Sequence, residues 1–339
     1  MANKKMLNIG IDLGTTNILV YVSGQGVIFN EPSVVAFDVD SGEVIAGGQA
    51  AYNMVGKTHG KIRVARPLRE GVISDMEAAK ALLKYIFLSL KNRKDLRNSY
   101  CVICCPSEVT HIERDAMRDL ALQMGIGEVL IEEEIKAGAI GSGIDIYSPE
   151  GSMVIDIGGG TTDVGVLSLG DVVLSQSIRV AGNYIDQIIV GYIHKSHNLV
   201  IGQKTAEKAK IETATLLDHV EFNSEFRISG RDLVTGLPRA IVITSEEVRE
   251  LLQPVFEEIG RLVMSVLEQT PPELAADIVD NGIVVNGGGS LIPGVKDYFE
   301  ELLNISVNIA DKPLTAVVEG TKVLLQNKGS YLNNKHSRE

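Results

Sequence analysis

The sequence predicts an α/β protein of two related lobes, and three observations carry that prediction. A short signature occurs twice, each time at the end of an apolar run: Asp12-Leu13-Gly14-Thr15-Thr16 and Asp156-Ile157-Gly158-Gly159-Gly160-Thr161-Thr162. Each copy is followed by further strand-like runs in the same order, so the chain reads as an internal duplication. Strands then alternate with amphipathic helices, the pattern of a sheet with helices on its faces. At 339 residues and 45% hydrophobic content the chain buries a large core and is long for one domain, which agrees with two lobes.

In the first half, apolar runs at 7–12 and 18–22 flank the signature, and Gly24-Gln25-Gly26 turns the chain into a third strand at 27–30, a β-meander. Residues 33–48 read as strands around Asp40-Ser41-Gly42, followed by a short helix at 49–54 and a basic strand at 61–66. This stretch is an insertion forming a small flanking subdomain. Ala79, Leu82, Leu83, Ile86 and Leu90 share one face of a helix over 76–90. A strand at 102–106, a helix at 108–124 and a strand at 129–132 follow.

The second half repeats the plan at 154–156, 164–169 and 172–175, with Leu169-Gly170-Asp171 at the reversal. With Thr pair aligned on Thr pair, its signature loop is two residues longer than the first. Helices at 184–196 and 205–215 come next, then an insertion of strand character at 220–243. Thr244 and Glu247 make a capping box for a long helix from Ser245. Pro254 either kinks that helix or opens a new one, and the apolar period through Val263 and Leu267 favours the kink. A strand at 282–285 leads into Asn286-Gly287-Gly288-Gly289-Ser290, a helix at 317–326 closes the fold, and the polar tail 327–339 reads as disordered.

Net charge of −12 without any arginine-rich segment excludes a nucleic-acid footprint. No apolar run approaches the roughly 20 residues of a membrane span, and Met1-Ala2-Asn3-Lys4-Lys5 runs into a strand instead of a signal-peptide core, so the expected location is the cytoplasm. Cys101, Cys104 and Cys105 suit a buried strand better than metal or redox chemistry. His194 and His197 lie three apart on a helix without further ligands and read as helix-surface residues.

The chemistry sits in the twin loops. Gly14, Gly158, Gly159 and Gly160 let backbone N–H groups approach phosphate oxygens, and Thr15, Thr16, Thr161 and Thr162 add hydroxyls. Asn17 closes the first loop and is counted with it. Asp12 and Asp156, each ending a strand, suit a magnesium ion held mainly through its waters. One loop alone reads equally well as a tight turn, and either Asp as an Asx-turn partner; the pair points to a nucleotide held between two related halves.

These motifs resemble the actin and heat-shock-chaperone ATPase superfamily over residues 6–326. Its five regions occur in order: 10–16 is similar to the first phosphate loop, 104–119 to the first connecting segment, 156–163 to the second phosphate loop, 287–289 to the adenosine loop and 315–325 to the second connecting segment. The wording of 30–36 (Asn-Glu-Pro-Ser-Val-Val-Ala), 66–73 (Arg-Pro-Leu-Arg-Glu-Gly-Val-Ile) and 267–275 is closest to the MreB family of bacterial actins.

The resemblance implies an actin-like ATPase fold: two ribonuclease-H-like lobes, each with a smaller inserted subdomain, around a nucleotide cleft that takes ATP or ADP with Mg. On that pattern 1–31, 76–145 and 311–327 form subdomain IA, 32–75 IB, 146–181 and 244–310 IIA, and 182–243 IIB, with 328–339 a flexible tail. It implies slow ATP hydrolysis, with Glu134 as the catalytic carboxylate and Thr161 as the second contact to the water. The family's Glu-Glu-Pro is Glu-Glu-Glu-Ile here, so the proline is missing and Glu133 competes for the position. Acidic residues also suit a helix's first turn.

Glu207 and Lys210 read as a solvated ion pair on sequence alone, whereas the resemblance implies that they reach ribose and base. Gly287, Gly288 and Gly289 are implied against the adenine, and Gly182 with Asn183 resembles a turn near the nucleotide. Implied partners are further copies of the chain, in homopolymer filaments of paired protofilaments that serve cell shape, together with an anionic membrane surface and envelope proteins at the inner face of the cell membrane. Lys91, Arg93, Lys94, Leu96 and Arg97 form a basic loop that either contacts anionic lipid or is simply solvated. The rival readings on the same scaffold are a small-molecule kinase, for which no acceptor base is evident, and a chaperone-type ATPase, for which no peptide-binding domain follows.

Overall fold

The computed structural model describes residues 7–91, 96–218 and 222–326. The tail 327–339, expected to be disordered, and Arg93 and Lys94 of the basic loop lie outside the described residues. The chain divides into two units, Met1–Asp145 with Thr315–Glu339, and Ile146–Leu314.

In the first unit, β1 (Asn8–Leu13), β2 (Asn17–Val22) and β3 (Gly26–Pro32) form the expected meander. The insertion supplies β4 (Val35–Asp38), β5 (Val44–Gly47), the short helix α1 (Gln49–Tyr52) and β6 (Ile62–Ala65), with its own three-stranded sheet in the order β5-β4-β6. Val34, Ala36, Ala46 and Ala51 give it a separate small core. A hairpin of β7 (Leu68–Arg69) and β8 (Val72–Ile73) leads to α2 (Met76–Lys91). All five apolar residues expected on one face of α2 are buried. Next come β9 (Tyr100–Cys105), α3 (His111–Gln123), β10 (Glu128–Glu133) and α4 (Glu134–Gly141). The three thiols of β9 are free and buried, and burial pushes the Cys105 thiol up to about 12, which keeps it protonated.

The second unit begins with β11 (Ser152–Ile157), β12 (Thr162–Ser168) and β13 (Asp171–Ile178), the second meander. Helix α5 (Gly182–His197) follows, then β14 (Leu199–Val200), α6 (Gln203–Thr213), β15 (Glu225–Asp232) and β16 (Pro238–Thr244), the three strands forming a separate sheet. Helix α7 (Ser245–Gln269) starts at the expected capping box and runs on through Pro254 as one helix. Three elements beyond it were not expected: α8 (Pro272–Asn281), α9 (Val295–Leu303) and β18 (Val307–Ile309), the last two after β17 (Ile283–Asn286), although Val295, Tyr298, Phe299, Leu302 and Leu303 stand at helical spacing in α9 and Ile305, Val307 and Ile309 alternate into β18.

The chain then returns to the first unit as α10 (Ala316–Gln326), which packs on α4. Here the two helix backbones touch. A Cβ at Gly141 would land on the Ala316 carbonyl and one at Gly320 on that of Ala137, so glycine is needed on both sides of the crossing.

The duplication is exact in topology. The main sheet of the first unit runs β3-β2-β1-β9-β10 and that of the second β13-β12-β11-β17-β18. In both, the first three strands are antiparallel and the other two join the central strand in parallel. The parallel pairs require crossover connections, because parallel neighbours cannot be joined by a hairpin. Each sheet has a separate hydrophobic core.

Candidate functional site

Strand register corrects the expected alignment of the twin loops. Leu13 pairs with Ile18 and Ile157 with Thr162, so each loop holds four residues, 14–17 and 158–161. The second loop is therefore not longer. Gly14 corresponds to Gly158, Thr15 and Thr16 to Gly159 and Gly160, and Asn17 to Thr161. Thr162 takes the place of Ile18, an inward position at the first residue pair of the hairpin. Its hydroxyl is fully buried and donates to the Val180 carbonyl at 2.6 Å. That hydroxyl is committed to the fold and is withdrawn from the phosphate set.

In the first unit, loop 14–17 is braced from two sides. The buried Ser33 donates from its Oγ to the Gly14 carbonyl at 2.6 Å and from its N–H to the Thr16 carbonyl at 2.8 Å. Gly71, in the turn between β7 and β8, donates its N–H to Thr15 Oγ1 at 3.3 Å. Among the described residues Thr16 Oγ1 is shut away from solvent without a hydrogen-bond partner. A hydroxyl in that state costs free energy unless a ligand meets it. Sequence reasoning missed both braces, although each lies in a stretch, 30–36 or 66–73, that carried the resemblance.

Asp12, Cys104 and Glu132 sit side by side near the carboxyl ends of the parallel strands β1, β9 and β10. Ligands of open parallel sheets gather at such ends. Burial first, then the carboxylates of Asp12 and Glu132, hold the Cys104 thiol protonated. The three glutamates at the β10–α4 junction have separate surroundings. Glu132 is paired with Lys136 at 3.7 Å. Glu133 accepts from Ser107 Oγ at 3.3 Å and lies 3.8 Å from the Arg114 guanidinium. Glu134 opens α4 with its Oε1 enclosed by protein.

In the second unit, loop 158–161 rests on the start of α5. Gly182 and Asn183 donate their N–H groups to the carbonyls of Gly158 and Gly159 at 3.1 and 2.8 Å, which satisfies two otherwise orphaned donors of that helix. Lys210, on α6, donates to the Gly182 carbonyl at 2.9 Å and pairs at 2.9 Å with the buried Asp186 of α5. It is thus a held, part-buried side chain beside the loop, and Asp186 is a partner that sequence reasoning did not single out. Glu207 lies on the same helix, half-buried.

Gly287 and Gly289 turn toward the base of this loop. A Cβ at Gly287 would meet Asp156 Oδ1 at 2.5 Å, and one at Gly289 would land on the Ile157 side chain. Gly288 alone has ordinary room, with Leu314 Cδ2 at 3.4 Å. Thus two of the three glycines are explained by close packing on β11. Asp156 has a part-exposed residue surface but an enclosed carboxyl, and burial, aided by the neighbouring Asp163 carboxylate, pushes it up to about 7. A cation at this position would return the charge that burial removes. Both units therefore fit a triphosphate with its metal: an orphaned hydroxyl in one, an under-compensated carboxyl in the other.

The basic loop is corrected in one residue. Leu96 is only 3% exposed and belongs to the first unit's core, so it offers no side chain to a membrane, whereas Arg97 is exposed. The Lys91 side chain lies outside the described set. Among the described residues no helix is long and apolar enough to cross a membrane.

A sequence model of the MreB/Mbl protein family matches residues 6–333. The cell shape-determining protein Mbl of Bacillus cereus is 45% identical over 320 residues, covering 94% of this chain and 96% of that one. The cell shape-determining protein MreB of Escherichia coli is 41% identical over 318 residues, covering 92% and 91%. Among solved structures, MreB5 of Spiroplasma citri bound to ADP superposes with a TM-score of 0.91 at 48% identity, covering 97% of this chain and 99% of that chain. The same protein bound to AMPPNP gives a TM-score of 0.91 at 47% identity, covering 98% and 99%.

Proposed function

The chain belongs to the MreB/Mbl family of actin-like, cell shape-determining proteins, and from that premise we propose that it binds ATP with magnesium, polymerises in that state and slowly hydrolyses ATP to ADP and phosphate. The observation that carries the reading is the twice-built sheet, in which an Asp-bearing central strand ends each time in a four-residue glycine-containing loop. Its support from relatives is that MreB5 of Spiroplasma citri has been seen with ADP and with AMPPNP.

In this proposal Gly14, Thr15, Thr16, Asn17, Gly158, Gly159, Gly160 and Thr161 surround the phosphates with backbone and hydroxyl donors. Asp12 and Asp156 hold magnesium through its waters. Magnesium, when bound, supplies positive charge against the triphosphate. Glu207 and Lys210 reach the ribose and base, and the adenine lies against 287–289, where Gly288 is the residue not closed off by β11. Glu134 is the carboxylate that orients and polarises the attacking water, with Thr161 as its second contact. Glu134 opens α4 with an enclosed Oε1, which supports this assignment, and Glu133 is engaged by Ser107 and Arg114. The water oxygen forms the new bond to the γ-phosphorus, the bond to the β–γ bridging oxygen breaks, and ADP leaves with that electron pair.

We also keep as proposals the four-subdomain division stated above, paired protofilaments, and a cytoplasmic place at the inner membrane face. Lys91, Arg93, Lys94 and Arg97 would meet anionic lipid there without Leu96, and envelope proteins would be partners. The test is a sedimentation assay with ATP, ADP and no nucleotide, read by electron microscopy, run beside phosphate release. Polymer with ATP and slow phosphate release are expected; Glu134→Ala should retain ATP binding and lose about 100-fold or more in turnover. A sugar-stimulated phosphate release without polymer would instead establish the kinase reading.

A further inference from the structure

We propose that the buried Glu132–Lys136 ion pair is a positioning device for Glu134 and thereby sets the turnover rate, an inference that rests on the hydrolytic reading above. Glu132 lies near the end of β10 and Lys136 in the first turn of α4, so the pair spans the junction that presents Glu134. Their charged groups are 3.7 Å apart, with the residues only 8% and 6% exposed. Glu132 Oε1 also accepts the Glu133 N–H at 3.3 Å. One carboxylate thus holds the strand end, the following backbone and the helix start.

The other side of the junction is fixed independently. Glu133 is the N-cap residue of α4 but makes no side-chain cap. Its carboxylate instead reaches Ser107 Oγ, in the segment after β9, and Arg114 of α3. Arg114 is itself anchored, donating to the Ser107 and Val109 carbonyls at 3.1 and 3.0 Å. Glu134 therefore lies between Glu133, tied to Ser107 and Arg114, and Lys136, tied back to Glu132.

Stability alone gives little reason for such a pair. Desolvation of two charges largely cancels their attraction, and well-packed apolar side chains of similar size serve equally well or better. What the ions add is a Coulombic tether across the junction at 3.7 Å, while the hydrogen bond from the Glu133 N–H to Glu132 Oε1 orients the carboxylate that makes it. Phosphoryl transfer depends on placement, and a shift of about 1 Å in a positioning group costs on the order of 100-fold in rate. Lys136 also supplies a cation beside the Asp12–Cys104–Glu132 row.

The test uses the full chain with the apolar double variant Glu132→Leu/Lys136→Met, Lys136→Arg and Glu132→Gln, the last keeping volume and an acceptor. Phosphate release at saturating ATP, ATP affinity by calorimetry and the unfolding midpoint are measured for each. The double variant should unfold near the wild-type midpoint and bind ATP within about twofold, yet turn over at least about tenfold more slowly. Lys136→Arg should recover most of the rate. Should the double variant fail to fold, Glu132→Gln is expected to show a smaller loss of rate at unchanged affinity. Wild-type turnover in the double variant, or in Glu132→Gln, beside an inactive Glu134→Ala overturns this inference alone. Loss of rate only in step with affinity or stability overturns it as well. Full turnover by Glu134→Ala in the same series overturns the hydrolytic assignment and this inference together.

Discussion

The two signature loops have the same length and the same strand register, yet they are built from opposite materials. The first uses hydroxyl residues at its centre, Thr15 and Thr16, and is braced by side-chain and turn donors from Ser33 and Gly71. The second uses Gly159 and Gly160 there, and its carbonyls are held by the N–H groups that open α5. A loop with hydroxyls brings its own donors, whereas a loop of glycines brings backbone close to the ligand. The lesson is that equivalent positions in a duplicated hairpin are fixed by pairing, while residue identity drifts. Matching Thr with Thr put Thr162 at the phosphates; pairing puts it in the core.

The largest expected effect separates the loops by their carboxyls. An acid whose pKa rises from 3.8 to about 7 on folding keeps its proton in the folded state after the unfolded chain has lost it. Stability without ligand should therefore fall as pH rises from about 4 to about 7, by up to about 4 kcal/mol for this residue, and stay low above it. Asp156→Asn should remove that fall and exceed the wild type in urea unfolding at pH 8 without magnesium, while losing stabilisation by magnesium ATP. Identical pH slopes for the two proteins would show that Asp156 is not under-compensated.

Next in size is the packing under the second loop. Gly287 has φ 78° and ψ 171°, a conformation open almost only to glycine, and a Cβ there would strike Asp156. Gly287→Ala should cost about 3 kcal/mol in denaturant unfolding, against less than about 1 for Gly288→Ala. Equal costs would mean that the three glycines serve one common role, as the sequence reading held.

Much of this was legible beforehand for identifiable reasons. Strict alternation and turn glycines marked both meanders, helical spacing marked α2, and the Thr244–Glu247 box marked the start of α7. Helices α8 and α9 start at the breaker pairs Pro271-Pro272 and Pro293-Gly294, which read as loop, although Val295, Tyr298, Phe299, Leu302 and Leu303 carry the helical period of α9 and Ile305, Val307 and Ile309 the alternation into β18. At the site, the loops and the Glu134 junction were readable as motifs. Their supports were not: Ser33, Gly71, Arg114 and Asp186 act over sequence separations that no local pattern encodes.

A smaller effect tests the corrected register directly. Thr162→Val should lose the buried bond to Val180 and about 1–2 kcal/mol of stability while leaving phosphate release intact. Thr161→Val should do the reverse, slowing release with little change in stability. If Thr162→Val slows release instead, Thr pair belongs with Thr pair after all and the second loop reaches one residue further.

The smallest effect concerns the hydroxyl that the first loop leaves unmatched. Thr16 Oγ1 is enclosed among the described residues without a partner, so without ligand it carries part of its desolvation penalty uncompensated. Thr16→Val keeps the shape and removes the polar atom, so the ligand-free protein should be unchanged or more stable by up to about 1 kcal/mol. ATP binding should weaken by about the net value of one hydrogen bond, roughly 1 kcal/mol or about fivefold in Kd by calorimetry. The second loop has no counterpart to lose, because Gly160 stands at that position and gives only backbone. A Gly160 substitution would therefore be read through backbone distortion, whereas Thr16→Val reads the donor alone; if ATP affinity does not respond to it, the first loop holds phosphate by its backbone as the second does, and the difference between them is confined to their bracing.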